Sequence, residues 1–165
     1  ILHPRVRTDY YKNTPNMPAF RGGFDGSRAP VCYNGDIFTI SDYETLCGDY
    51  PELDRVMLGR GIISNPGLLD RIAAGTNSDG SGTDKETLKR FHQMIYEGYR
   101  QIMSGDRNVL FKMKELWACM IQIFSDNGKY IKRIKKSQRL EEYETAAAAV
   151  FRDLDILEGA GFRTY

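Results

Sequence analysis

Two short polar corners, Asn34-Gly35-Asp36 and Gly59-Arg60-Gly61, carry residue types suited to holding an anionic ligand. The Arg60 guanidinium is a planar fork matched to phosphate oxygens, and the glycines beside it let backbone come close to a ligand. Asn34 can both donate and accept hydrogen bonds, and Asp36 can hold a ligand hydroxyl or orient Arg60. His3, with Arg5 two residues on, is a third candidate, although a lone histidine at a strand end serves structure as readily as function. By itself, Gly-Arg-Gly also describes a plain tight turn. A different chemistry belongs to Lys129, Lys132, Arg133, Lys135, Lys136 and Arg139, a run with no acidic residue among them. Ile131 and Ile134 leave one face of that helix to pack. The charges then form either a solvated face or a polyanion contact, because lysines tracking a phosphate backbone supply sequence-independent affinity. Tyr10 and Tyr11 are able to stack on a base.

The corners need strand ends to position them. Residues 1–3 read as a strand terminus, with Pro4 disfavouring helix there. Residues 30–36 read as a buried strand ending in a polar glycine turn, and Val56, Met57 and Leu58 as another. A long polar loop from Arg5 to Pro18 leads to a poor helix over 19–24, weakened by Gly22, Gly23 and Gly26. Ser41 and Glu44 predict a capping box, with a helix over 42–47 that Gly48 stops. Asn65 and Pro66 predict the start of a helix reaching Ala74. Strand and helix in alternation, with polar residues at each strand's C-terminal end, is the pattern of βα units on a parallel sheet. Three strands are too few for a closed barrel of about 250 residues, but they fit its last three, where the strand ends share one face and the turns often bind phosphate.

Thr76 to Gly82 is the clearest linker, and the pattern beyond it is wholly helical. Thr83 and Glu86 predict a capping box before a stripe of Leu88, Phe91, Ile95, Tyr99 and Ile102, with Gly105 as the stop. Leu110, Met113, Trp117, Met120, Ile121 and Phe124 form a second stripe ending near Asn127. After the basic helix, Tyr143, Ala147, Val150, Phe151, Leu154 and Leu157 form the last. Four helices with short connections make a small bundle, and these methionines and aromatics read as its core rather than as metal or cofactor ligands. The expected fold is therefore α/β. Residues 1–75 form the C-terminal βα units of a TIM (β/α)8 barrel, 76–82 a linker, and 83–165 an all-α helical bundle domain.

Composition agrees with a soluble globular protein: 41% of the 165 residues are hydrophobic and 27% charged. This length buries one ordinary core or two small ones. No apolar run approaches the roughly 20 residues of a membrane span, and no segment reads as a signal peptide. Cys32, Cys47 and Cys119 are odd in number and lack metal-ligand spacing, which predicts free thiols in a reducing, cytoplasmic compartment and no metal site. The chain starts at Ile1 without an initiator Met and is expected to be the C-terminal part of a longer protein.

Taken in order, His3-Pro4-Arg5-Val6-Arg7, Pro30 to Ile37, and Val56 to Gly61 with Asn65-Pro66 resemble the last three barrel strands of the tRNA-dihydrouridine synthases. The tail, including Lys112 to Trp117, resembles that family's C-terminal tRNA-binding domain. The resemblance implies an FMN enzyme that reduces uridine in tRNA to dihydrouridine with NADPH. It implies that His3 lies against the flavin ring and that Asn34, Gly35, Asp36, Gly59 and Arg60 hold the cofactor at its ribityl phosphate. It also implies that Arg5 and Arg7 face the substrate, and that Lys132, Arg133, Lys135, Lys136 and Arg139 meet the tRNA backbone. The family's catalytic cysteine belongs to the first half of the barrel, with a lysine and a glutamine that touch the flavin. None of the three cysteines here matches that motif, so no catalytic residue is assigned. The chain alone is expected to be inactive, to bind FMN weakly at most, and to self-associate through its open barrel edge. Another FMN barrel oxidoreductase acting on a small molecule, or a non-catalytic RNA-binding module, are the alternatives.

Overall fold

Residues 1–9, 13–75 and 83–157 are described in a computed structural model, and most of them are helical. In the N-terminal part, three extended segments lie side by side. Leu2 pairs with Tyr33 and Tyr33 with Val56, each through a parallel bridge, so the second segment is central. The hydrogen bonds follow the slanted parallel pattern: Leu2 N–H to Cys32 O at 2.9 Å, Asn34 N–H to Leu2 O at 2.9 Å, Tyr33 N–H to Arg55 O at 3.0 Å and Met57 N–H to Tyr33 O at 2.8 Å. The three expected strands are thus present as single bridges, with no longer strand among the described residues. Among the described residues each outer segment has a paired neighbour on one side only, and the polar corners turn the chain away soon after the bridge.

Side-chain alternation still holds on this short sheet. Leu2, Tyr33, Val56 and Leu58 pack with Phe20, Leu46 and Tyr50 of the covering helices. On the other face Ile1 is 78% and Met57 45% exposed, so the segment at 56–58 is not the buried strand its composition predicts. The covering helices are α1 (Met17–Asp25) and α2 (Ile40–Asp49). Asn16 Oδ1 accepts the Ala19 N–H at 3.0 Å to start α1, longer at both ends than predicted. The capping box of α2 is built by Thr39 and Asp42, two residues ahead of the expected Ser41, and Gly48 lies inside the helix, which ends at Asp49 with Tyr50 as its C-cap.

The predicted helix after Pro66 is α4 (Leu68–Ala74), and a further short helix, α3 (Arg60–Ser64), starts within the Gly59-Arg60-Gly61 corner expected to be a turn. Proline disfavours helical geometry in the residue before it, and Asn65 accordingly has an extended backbone (φ −140°, ψ 84°) that breaks the helix. Asn65 is therefore not an N-cap. Its buried Oδ1 accepts the Thr83 N–H at 3.1 Å. The expected linker at 76–82 lies outside the described residues.

The remaining helices are α5 (Lys85–Ile102), α6 (Asp106–Met120), α7 (Gly128–Lys136) and α8 (Leu140–Asp153), with a 3-10 turn at Ile121–Ile123. Asp84, not Thr83, caps α5, its carboxylate accepting the Thr87 N–H at 2.8 Å. The bundle core holds Trp117, Met113, Met120, Tyr143 and Val150, all sealed from solvent. Ile102 and Leu157 are exposed rather than core, while His92 and Tyr96 are buried on α5. Helix α3 packs on α6, and Ile63 lies against the bundle core. No described helix is long and apolar enough to cross a membrane.

Candidate functional site

Parallel pairing brings the C-terminal ends of the three segments together, and the polar corners follow immediately. Asn34 Nδ2 donates to Met57 O at 2.9 Å, tying the second segment to the third. The two glycine corners are adjacent. At Gly61 a Cβ would meet Ile37 O at 2.2 Å, a backbone approach that only glycine permits. At Gly35 a Cβ would strike the buried Tyr33 hydroxyl at 2.0 Å. Gly59 differs, for a Cβ there meets nothing within 4 Å.

Asp36 sits between two arginines. Arg60 Nη2 donates to its Oδ1 at 2.7 Å, Arg5 Nη1 to the same oxygen at 2.9 Å, and Arg5 Nη2 to Oδ2. The side chains of Arg5, Asp36 and Arg60 are 4%, 14% and 18% exposed, so water screens this cluster poorly. Asp36 thus gathers two guanidinium groups beside Gly59. The Arg60 guanidinium also lies 5.4 Å from the Phe38 ring centroid. Burial and Arg5 hold the His3 imidazole below its ordinary pKa, with Arg60 adding to the effect and Asp36 opposing it. Tyr33, behind Gly35, is pushed up to about 12, first by burial and then by Asp36.

Sequence reasoning singled out the residues gathered here, and one of the two roles it offered Asp36, orienting Arg60, is the one seen. Arg5, expected on the substrate side, has its side chain buried against Asp36. Arg5 Nε and Nη2 also donate to Asn13 O, at 2.9 and 2.7 Å. Arg7 is exposed on a 3-10 turn (Arg7–Asp9). A cavity of about 500 Å³ opens beside His3 and Arg5, lined by Pro4, Asp9, Asn13, Asn16 and Phe20 among others. Tyr10 and Tyr11 lie outside the described residues. The planar Arg60 fork and the unhindered Gly59 fit the phosphate of a nucleotide cofactor.

On α7, Tyr130 and Ile134 are buried while Lys129, Lys132, Arg133, Lys135 and Lys136 are all exposed, and so is Arg139 just beyond. Arg139 pairs with Glu142 at 3.2 Å, but Lys132, Arg133, Lys135 and Lys136 make no ion pair among the described residues. Three of the cations fall in the last helical turn, where they complement the helix dipole, and Lys114 Nζ donates to Ser137 O at that end. A concavity of about 480 Å³ between α7 and α8 is lined by Arg133, Lys136, Glu141, Glu142 and Thr145. Among the described residues no group of three or more His, Cys, Asp or Glu side chains could hold a metal ion.

Residue pairing that sequence did not reveal appears inside the bundle. The Trp117 indole N–H donates to the Tyr143 hydroxyl at 2.9 Å, and that hydroxyl lies 2.5 Å from His92 Nε2. Burial lowers the His92 pKa to about 4, so near pH 7 the ring is neutral. Beside it, Tyr96 donates to Glu144 at 2.6 Å.

The dihydrouridine synthase family matches residues 1–159. A tRNA-dihydrouridine(16) synthase of Neisseria meningitidis serogroup B is 23% identical over 158 residues, covering 93% of this chain and 46% of the relative. Its counterpart in Pseudomonas putida is 28% identical over 123 residues, covering 73% and 37%. The one in Aquipseudomonas alcaligenes is 32% identical over 74 residues, covering 45% and 23%. This chain thus spans less than half the length of these relatives. A match along nearly the whole chain, including both glycine corners and the basic helix, settles the family: the chain belongs to the dihydrouridine synthases.

Proposed function

We propose that residues 1–75 form the last βα units of an FMN-binding barrel and residues 83–165 a tRNA-binding helical domain, in an enzyme that reduces uridine in tRNA. The relatives' shared name points to uridine 16 as the target, and the setting is cytoplasmic. The observation that carries this reading is the meeting of Asn34-Gly35-Asp36 with Gly59-Arg60-Gly61 at one end of three parallel segments. FMN held at these corners would supply hydride chemistry for the uracil ring, with NADPH as the reductant. Arg60, held by Asp36, closes on the FMN phosphate, and Gly59 admits it. Asn34 and Gly35 keep the second corner in place, and His3 lies toward the flavin ring. Arg7 and the cations Lys132, Arg133, Lys135, Lys136 and Arg139 meet the tRNA backbone. The chain itself supplies no catalytic cysteine and turns over no uridine alone, and its open sheet face favours self-association.

Binding separates the parts of this reading. Purified chain should retain tRNA with an affinity that falls steeply with salt. Glutamine at Lys132, Arg133, Lys135 and Lys136 together should flatten the log–log salt slope by roughly 3. A slope that the four substitutions leave unchanged would remove the basic helix from the interface. FMN should bind more tightly than riboflavin, and Arg60→Ala should reduce that difference by about ten- to a hundredfold. Equal affinity for the two flavins would exclude a phosphate site, and dihydrouridine formed by the chain alone would overturn its inactivity.

A further inference from the structure

We propose that Arg5 is a positioning residue: through Asp36 it fixes the Arg60 guanidinium, and it couples that arm to the loop following the first segment. This rests on the reading of Arg60 as a phosphate-holding residue. The Arg5 side chain is 4% exposed, so it is not placed to track a nucleic acid backbone. Its fork engages both oxygens of Asp36, which sets the plane of the carboxylate and presents Oδ1 to Arg60 Nη2 at 2.7 Å. Without the fork, the carboxylate could turn about its terminal torsion, a broad and weakly restrained rotation, and Arg60 would turn with it.

The other side of Arg5 is anchored as firmly. Its Nε and Nη2 both donate to Asn13 O. Asn13 Nδ2 donates to Asp9 Oδ1 at 2.8 Å, and Asp9 Oδ2 accepts the Val6 N–H at 2.8 Å. The loop at the rim of the 500 Å³ cavity is therefore linked by consecutive hydrogen bonds to Arg60 at the start of α3. Lysine keeps the charge of arginine but loses the planar fork, so Arg5→Lys separates position from charge.

The test uses the full chain with 15N-labelled arginine side chains. In the ligand-free protein, Arg60 should give separate, slowly exchanging Nη proton signals, because its fork is held. Arg5→Lys and Asp36→Asn should each merge those signals, and the double variant should do no more than either. Inorganic phosphate should shift the Arg60 signals and leave those of Arg5 nearly still, with an apparent dissociation constant raised about three- to tenfold by Arg5→Lys. The proposal fails if the Arg60 signals are merged in the unsubstituted chain, if they stay separate in both single variants, or if phosphate moves Arg5 as strongly as Arg60. Absence of any phosphate response in the unsubstituted chain would sink the phosphate reading instead, while the ligand-free signals would still decide the role of Arg5.

Discussion

In the bundle, twenty buried residues from α5 to Leu154 form one cluster around Trp117 and Tyr143. In the N-terminal part the corresponding cluster has six, and Ile1, Val6 and Met57 face outward. The polar groups are distributed in the opposite sense to this apolar burial. Residues with chemistry to offer, His3, Arg5, Asp36 and Arg60, collect where the core is thin, and the polar network of the bundle is locked into packing. A helix pair buries its stripe against its neighbours in the same chain, whereas a parallel sheet needs cover on both faces and partners on both edges. The bundle is thus self-sufficient in its packing, and the sheet has cover on one face.

The sharpest way to break that contrast is at Trp117. Truncation to alanine should cost about 3–5 kcal/mol, a large share of a typical domain's stability, and also leaves the Tyr143 hydroxyl without its donor. Urea unfolding followed by far-UV circular dichroism should show the bundle transition moving to much lower denaturant. A small shift would mean that the bundle is not the main source of stability.

The next effect depends on pH. His92 titrates at about 4 in the folded chain against 6.5 when unfolded, so below 6.5 the unfolded state binds the extra proton. Stability should fall as pH drops from 6.5 toward 4, by at most about 3 kcal/mol, and be independent of this group above 6.5. Trp117 is the single tryptophan and its ring centroid is 5.3 Å from that of His92, so its fluorescence reports the transition locally. His92→Gln should remove most of the slope. An unchanged slope in that variant would assign the acid sensitivity elsewhere.

These two regions also differ in what could be read from sequence. The basic helix was legible because Ile131 and Ile134 leave one face to pack and the cations outside it, although the structure buries Tyr130 with Ile134, and the glycine corners because their residue types are uncommon together. Caps were placed one or two residues off at Thr39 and Asp84, since neighbouring Ser, Thr and Asp side chains compete for the same N–H groups. The pairing of Arg5 with Asp36 was not legible because the two are 31 residues apart, a distance over which local pattern is silent. His92 gave no core signal, for its burial depends on Tyr143, 51 residues on. Sheet extent was overestimated because apolar runs specify a face to bury and not the partners that extend a ladder.

The smallest expected effect tests the thin region through its two unlike glycines. Gly61→Ala forces a methyl group onto the Ile37 carbonyl, which is backbone and cannot swing aside, so the corners must separate at a cost of about 1–3 kcal/mol. Gly59→Ala meets no neighbour, and its effect on stability should stay within about 0.5 kcal/mol. If Gly59 is the side from which a phosphate enters, the methyl group there should still weaken phosphate binding by severalfold, separating affinity from stability at one atom's distance. Thermal melts and phosphate titrations of the two variants give the comparison directly. Equal destabilisation by both would mean that the corners are not in close backbone contact, and unaltered phosphate affinity in Gly59→Ala would move the anion to another side of Arg60.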